Sequence, residues 1–102
     1  MTDERRSDKR VSLNLSTKWR GVTGQHEGRI EDLSVHGCFV NTVGAVDVGE
    51  IVSLLIKLPS DQWLSLRGKV MSSQQMVGFG LSFSILDEKE QQALAELVRD
   101  HA

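Results

Sequence analysis

The runs LSLRGKV (residues 64–70) and VGFGLSF (residues 77–83) indicate a β-sheet protein. In both, apolar and polar or small residues alternate, which is the period of a β-strand with one buried face. The small residues at Gly78, Gly80 and Ser82 further predict that something packs closely over that face, or that the strand bends there. The polar stretch 72–75 between the runs predicts a hairpin loop. We expect Val77, Phe79, Leu81 and Phe83 to point inward.

Similar patterns occur upstream in the chain. Residues 11–19 alternate with Val11, Leu13, Leu15 and Trp19 on one face, and residues 51–58 alternate with an entirely apolar even face. Shorter β-prone stretches are residues 29–33 and 38–43. Clusters of Gly, Pro, Ser and Asp predict turn regions at residues 21–28, 34–37, 44–49 and 59–61.

Near the C-terminus the spacing of the apolar residues changes from that of a strand to that of a helix. Asp87 is followed three residues later by Glu90, the spacing of a helix capping box. Leu94, Leu97, Val98 and His101 then share one helical stripe. We predict a helix from about Glu88 to His101 that docks on the strands or on another subunit.

About six short strands followed by one helix predict an all-β domain with a C-terminal helix, either a small barrel or a sandwich. A chain of 102 residues is long enough for one such domain. The polar N-terminus does not resemble a signal peptide, no apolar run could span a membrane, and the single cysteine is typical of a reducing compartment. We therefore expect a cytoplasmic protein.

Charge is unevenly distributed in this nearly neutral chain. The chain contains 12 Lys and Arg and 14 Asp and Glu, which gives a net charge of −2. Four of the basic residues nevertheless cluster near the N-terminus: Arg5, Arg6, Lys9 and Arg10. Residues 1–10 contain no apolar side chain after Met1, so we expect a flexible arm. The overall balance disfavours a protein that coats nucleic acid.

The sequence offers little for catalysis. The three histidines and Cys38 lack metal-ligand spacing, and no nucleophile elbow or phosphate-binding glycine loop is present. We predict no catalytic residues, no metal and no cofactor. Cys38 is interpreted as a buried hydrophobe rather than a redox sensor, Trp19 as core, and Trp63 as a partly exposed aromatic.

Two motifs remain. Arg6-x-x-x-Arg10 places two guanidinium forks where they could hold one anion, although with seven arginines in the chain a pair at this spacing is expected by chance roughly 0.4 times. Asp32-x-Ser34-x-x-Gly37 is either a polar turn with a glycine at positive φ, or a turn that presents a carboxylate and a hydroxyl to a ligand. The carboxylate could accept hydrogen bonds from the Watson–Crick edge of guanine.

In this order, about 20 residues apart, the motifs resemble those of the PilZ family of bacterial cyclic di-GMP receptors. The resemblance runs from Arg5 to the C-terminal helix and includes residues 49–52, 67–70 and 77–83. It implies a six-stranded antiparallel barrel at residues 11–86, preceded by the arm at 1–10 and followed by the helix at 87–102. It also implies a non-enzymatic module of bacterial second-messenger signalling.

The resemblance implies a cyclic di-GMP site on the outer barrel surface. Arg6 and Arg10 would contact phosphate and guanine, Asp32 and Ser34 would bind guanine edges, and Gly37 would admit the ligand to the backbone. Arg5 would favour an intercalated ligand dimer.

Binding would order the arm and so alter a surface for an unidentified downstream protein, with no nucleic acid polymer bound and no membrane insertion. The alternatives are a nucleotide-independent adaptor for motility, pilus or exopolysaccharide machinery, and a small RNA-binding barrel. The net charge and the few aromatic residues disfavour RNA.

Overall fold

The computed structural model describes residues 9–102. Alternating burial along the strands reproduces the period-2 pattern of the sequence; in the fourth strand every second residue is buried. The strands are β1 (Val11–Gly21), β2 (Gly24–Leu33), β3 (Gly37–Asn41), β4 (Ile51–Lys57), β5 (Trp63–Gln74) and β6 (Gly78–Phe83), followed by helix α1 (Glu88–Asp100).

All neighbouring strands pair antiparallel, and they close into a barrel in the order β1-β2-β3-β6-β5-β4. The closing pair is β1 with β4, in which Trp19 lies opposite Leu54. Closure satisfies the backbone hydrogen bonds that the outer strands of an open sheet would expose. The predicted six-stranded antiparallel barrel is confirmed, and the sandwich alternative is wrong.

The barrel interior holds the core. Trp19 is 1 % exposed, contacts the ring of Phe79 edge-on, and stacks on His26 at 4.4 Å between ring centroids. Its Nε1 donates a hydrogen bond to Thr42 Oγ1 at 3.1 Å, which satisfies the polar atom of this buried indole. The core role predicted for Trp19 is confirmed.

Helix α1 begins with the predicted capping box. The backbone nitrogen of Glu90 donates to Asp87 Oδ1 at 2.8 Å, and the backbone nitrogen of Asp87 donates to Glu90 Oε1 at 3.0 Å. Leu94, Leu97 and Val98 are buried and belong to the barrel core, so the helix docks on its own barrel. Among residues 9–102, no helix is long and apolar enough to cross a bilayer.

Two turn predictions were wrong. The turn expected at 21–28 is confined to Val22 and Thr23, and the rest of that stretch begins β2. Gly28 lies within β2, where an added Cβ would be 2.6 Å from the carbonyl oxygen of Asn41. Glycine at this position therefore allows β2 and β3 to approach closely.

At the β5–β6 hairpin, β5 continues to Gln74, beyond the start of the predicted loop. Val77 consequently lies in the turn and is exposed, not inward-facing.

Candidate functional site

The Asp32–Gly37 motif joins β2 to β3. Asp32 is the penultimate residue of β2 and pairs with Ser12 of β1 on one side and Phe39 of β3 on the other. Its neighbour Leu33 is fully buried, whereas the Asp32 side chain is 50 % exposed. The strand therefore presents the carboxylate on the outer surface of the barrel.

Arg10, from the first motif, contacts this carboxylate. Val11 pairs with Leu33, so the residue that precedes β1 lies beside the end of β2. Arg10 Nε donates a hydrogen bond to Asp32 Oδ1 at 2.9 Å, and the arginine side chain is 44 % exposed. Within residues 9–102, Oδ2 of Asp32 accepts no hydrogen bond. A half-exposed ion pair of this kind contributes at most about 1 kcal/mol to stability, so a ligand could rearrange it at little cost.

Ser34 lies inside the turn. Its side chain is fully buried, and its Oγ accepts hydrogen bonds from the backbone nitrogens of His36 at 3.1 Å and Gly37 at 3.2 Å. The Ser34 backbone nitrogen donates to the Gly37 carbonyl at 2.8 Å. These contacts fix the path of the chain immediately after Asp32, so the hydroxyl stabilises the turn that carries the carboxylate.

Gly37 is needed for close packing between strands. An added Cβ would lie 2.2 Å from the carbonyl oxygen of Leu81 on β6, a separation that real Cβ atoms do not adopt. The expectation of a positive φ here was wrong, because the left-handed glycines are Gly24, Gly49 and Gly78. A side chain at position 37 would push β3 away from β6.

The other two predicted ligand residues, Arg5 and Arg6, lie outside the described residues, as does the rest of the predicted arm up to Asp8.

Phe39 is a neighbour of Asp32 that the sequence motifs did not predict as a site residue. Cys38 and Val40 are buried, so Phe39 faces outward, half-buried, on the same side of the barrel as Asp32. Its ring lies over β6, where an added Cβ on Gly78 would be 2.8 Å from Phe39 Cε2. This ring thus supplies the packing predicted over β6 at Gly78.

Cys38 lies directly behind the site. It is 2 % exposed, and burial raises the pKa of its thiol to about 12; the positive charge of Arg10 lowers it slightly and the carboxylate of Asp32 raises it. A protonated, buried thiol is a poor nucleophile, consistent with a packing role. Among residues 9–102, no group of three or more His, Cys, Asp or Glu side chains could hold a metal ion.

Solved structures with the same fold include PilZ domains. The PilZ domain of YcgR from Escherichia coli, solved with c-di-GMP, superposes with a TM-score of 0.79 at 12 % identity, covering 95 % of this chain and 91 % of that one. The PilZ domain of CeSA from a cellulose-synthesizing bacterium gives a TM-score of 0.71 at 18 % identity, with coverages of 90 % and 96 %.

The Bacillus subtilis inhibitor of motility MotI/DgrA gives a TM-score of 0.77 at 19 % identity. The match covers 94 % of this chain and 50 % of that one. At these identities the likeness concerns the fold alone. No curated protein gives a significant match.

The sequence itself matches the family model of the PilZ domain over residues 4–100. That span contains both motifs, all six strands and the helix, so with these motifs and this closed barrel the chain belongs to the PilZ domain family.

Proposed function

We propose that this chain is a cyclic di-GMP receptor module that binds its ligand beside Asp32. The observation that carries the proposal is the contact between Arg10 and Asp32, which joins two motifs separated by 22 positions into one half-exposed site on the outer barrel wall. Its support also comes from family membership and from the c-di-GMP present in the YcgR structure.

The chemistry of the site suits this ligand. Cyclic di-GMP carries two phosphates and two guanines, so it needs cations near its centre and acceptors for the N1–H and N2–H₂ groups of each base. The Asp32 carboxylate is an acceptor of the right geometry for that edge, and the Arg10 guanidinium is a planar donor for phosphate or for the guanine O6/N7 edge. Phe39, beside Asp32, adds an apolar surface on which a base could lie.

Arg5 and Arg6 would complete the site from the N-terminal arm at 1–10. Their guanidinium groups would add positive charge around the phosphates, and Arg5 would hold a second, intercalated ligand molecule. The free energy needed to order the arm lowers the affinity, but ordering changes the surface that a partner protein meets. This is how a module without catalytic residues would transmit the signal. A cytoplasmic location is part of the proposal.

Ser34 and Gly37 would act indirectly in this proposal. The Ser34 hydroxyl and the Gly37 backbone nitrogen are engaged with each other in the turn. They would therefore hold Asp32 in place, and a direct bond from Ser34 to the ligand would require the turn to open.

One observation favours a second candidate, a nucleotide-independent adaptor. Two of the site's side chains already have partners within the protein: Arg10 binds one carboxylate oxygen of Asp32, and the Ser34 hydroxyl closes its own turn. In an adaptor, the motifs would serve only to stabilise the β2–β3 connection. The two candidates differ in whether the ligand stabilises the fold.

Thermal unfolding with and without cyclic di-GMP separates them. A ligand that binds only the folded state raises the Tm, and at a fixed ligand concentration the increase grows with the logarithm of the affinity. We expect the wild type to be stabilised and the Arg10→Ala and Asp32→Ala variants to lose most of the shift, each measured against its own ligand-free Tm. Arg99→Ala, which removes an exposed helical arginine, is the matched control and should keep the shift. An unchanged wild-type Tm at saturating ligand would favour the adaptor.

A further inference from the structure

The strands β1, β4 and β5 carry a charge imbalance that the proposed ligand site does not use. These three adjacent strands contain five basic residues and neither Asp nor Glu. The remainder of the chain carries 7 Lys and Arg against 14 Asp and Glu, by subtraction from the totals of 12 and 14. Positive charge is thus concentrated on one wall of an otherwise acidic molecule.

The strand register arranges the basic side chains around exposed apolar ones. Lys18 lies opposite Leu55, and Lys57 lies opposite Trp63. Leu55 is 41 % exposed and Trp63 is 43 % exposed. We call this surface the basic face; it comprises Lys18, Arg20, Ser53, Leu55, Lys57, Trp63, Ser65, Arg67 and Lys69, all exposed.

Most cations of the basic face have no carboxylate partner in the part of the chain that the structure describes. Within residues 9–102, ion pairs within 4.0 Å involve Lys57, whose Nζ is 3.7 Å from Asp61, but not Lys18, Arg20, Arg67 or Lys69. Arg20 donates to the neutral Gln25 side chain at 3.0 Å. Lys18 Nζ lies 5.3 Å from the centroid of the Trp63 ring, a cation–π contact that leaves its charge uncompensated.

The basic face is indented. A cavity of about 290 Å³ lies over the small side chains of Ser53 and Ser65, beside Leu55. A second cavity of about 480 Å³ is lined by Lys18, Lys57 and Trp63, together with Glu27 and Arg29 of β2. The surface can therefore receive protruding side chains as well as opposite charge, which a flat bilayer would not supply.

We propose that the basic face binds an acidic segment of a partner protein, in which carboxylates flank an apolar anchor. The carboxylates would meet Lys18, Arg20 and Arg67, and the anchor would rest on Leu55 and Trp63. Trp and Arg, both present on this face, are enriched in protein recognition sites. Single-stranded RNA fits less well, because Trp63 is the one aromatic side chain on the basic face, whereas such sites stack successive bases on several aromatics.

The basic face is separate from the ligand site. In the closed ring of strands, β4 lies across the barrel from β3, which carries Phe39. Binding of an acidic segment therefore goes beyond the proposed cyclic di-GMP function and does not depend on it.

Fluorescence anisotropy with the full chain tests the proposal. The probe is a short labelled peptide in which Glu and Leu alternate, compared with a Gln-Leu peptide of the same pattern and with labelled oligo-U RNA. We expect the Glu-Leu peptide to bind, the Gln-Leu peptide not to bind, and the affinity to fall as salt is added.

Charge reversal locates the binding surface. K18E combined with R67E should weaken peptide binding about tenfold or more. K89E combined with R99E makes the same change in net charge on exposed positions of α1 and should leave binding nearly unchanged. W63A should also weaken it, without the same loss of salt dependence. Thermal unfolding of each variant checks that the barrel is intact.

Three outcomes overturn the proposal: no peptide binding at low salt, equal loss in the α1 control, or tighter binding of RNA than of peptide. The cyclic di-GMP response of K18E/R67E should match the wild type. Failure of the proposed function would instead appear as an absent ligand response in every variant, including the wild type.

Discussion

Cys38 is the residue whose ionisation is most clearly set by the fold. Its thiol is buried behind Asp32, and its pKa rises from 9.0 to about 12. The folded protein therefore keeps this proton at a pH where the unfolded chain has lost it. The contribution of this thiol to the free energy of unfolding is fully present below about pH 9 and is lost as the pH rises toward 12.

We predict a slope of about 1.4 kcal/mol per pH unit from Cys38 alone above pH 9. The chain has no tyrosine, so no phenol titrates in the same range. Urea unfolding of the wild type and Cys38→Ala, measured on both sides of pH 9, isolates the effect. The free-energy difference between them should shrink as the pH rises, because alanine has nothing to deprotonate. Parallel pH profiles would contradict the burial of this thiol.

At the proposed ligand site, the positions of the side chains could be predicted from the sequence only in part. Arg10 and Asp32 were selected for chemistry, and they do meet at 2.9 Å. Ser34 was selected as a ligand contact, yet its hydroxyl points into its own turn, because a buried serine after a strand end has backbone nitrogens within reach. Phe39 was overlooked because nothing local to it signals a ligand; its relevance comes from pairing with Asp32 across β2 and β3.

Among the elements, the strands with clean alternation were predictable and the glycine-rich ones were not. β4 shows the burial expected from its apolar even positions. β2 was predicted as half its length, because three glycines between residues 21 and 28 resemble turn residues. Gly28 is instead required by the close approach of β3, a tertiary constraint that local sequence does not encode.

The pairing of β3 with β6 depends on Gly37 in the same way. We predict that Gly37→Ala lowers the free energy of unfolding by about 1–3 kcal/mol, because the new methyl group would meet the rigid carbonyl of Leu81. Gly80→Ala is the matched control in the neighbouring strand, since its methyl group would meet only the rotatable Ser72 Oγ, at 2.7 Å. Chemical denaturation of both variants gives the comparison. Equal free energies of unfolding for the two variants would contradict the close packing of Gly37 against Leu81.

As a whole, the molecule is a closed barrel with two different surfaces, one at the β2–β3 connection and one on β1, β4 and β5. One wall carries Asp32, Arg10 and Phe39, and the other carries the basic face on β1, β4 and β5. The net charge of −2 conceals both the N-terminal cluster of arginines and this second basic surface. Composition could not reveal the basic face, because its cations come from three strands that meet only when β1 closes onto β4.

Isothermal titration calorimetry of the intact chain with cyclic di-GMP, with GMP as the control ligand, measures directly whether Arg10 and Asp32 belong to a ligand site. We predict saturable heat for cyclic di-GMP, little or none for GMP, and loss of the signal in Arg10→Ala. A stoichiometry of two ligands per chain would support the intercalated dimer that Arg5 is expected to hold. Absence of heat at several temperatures, from a folded wild-type protein, would contradict the assignment of Arg10 and Asp32 to a ligand site.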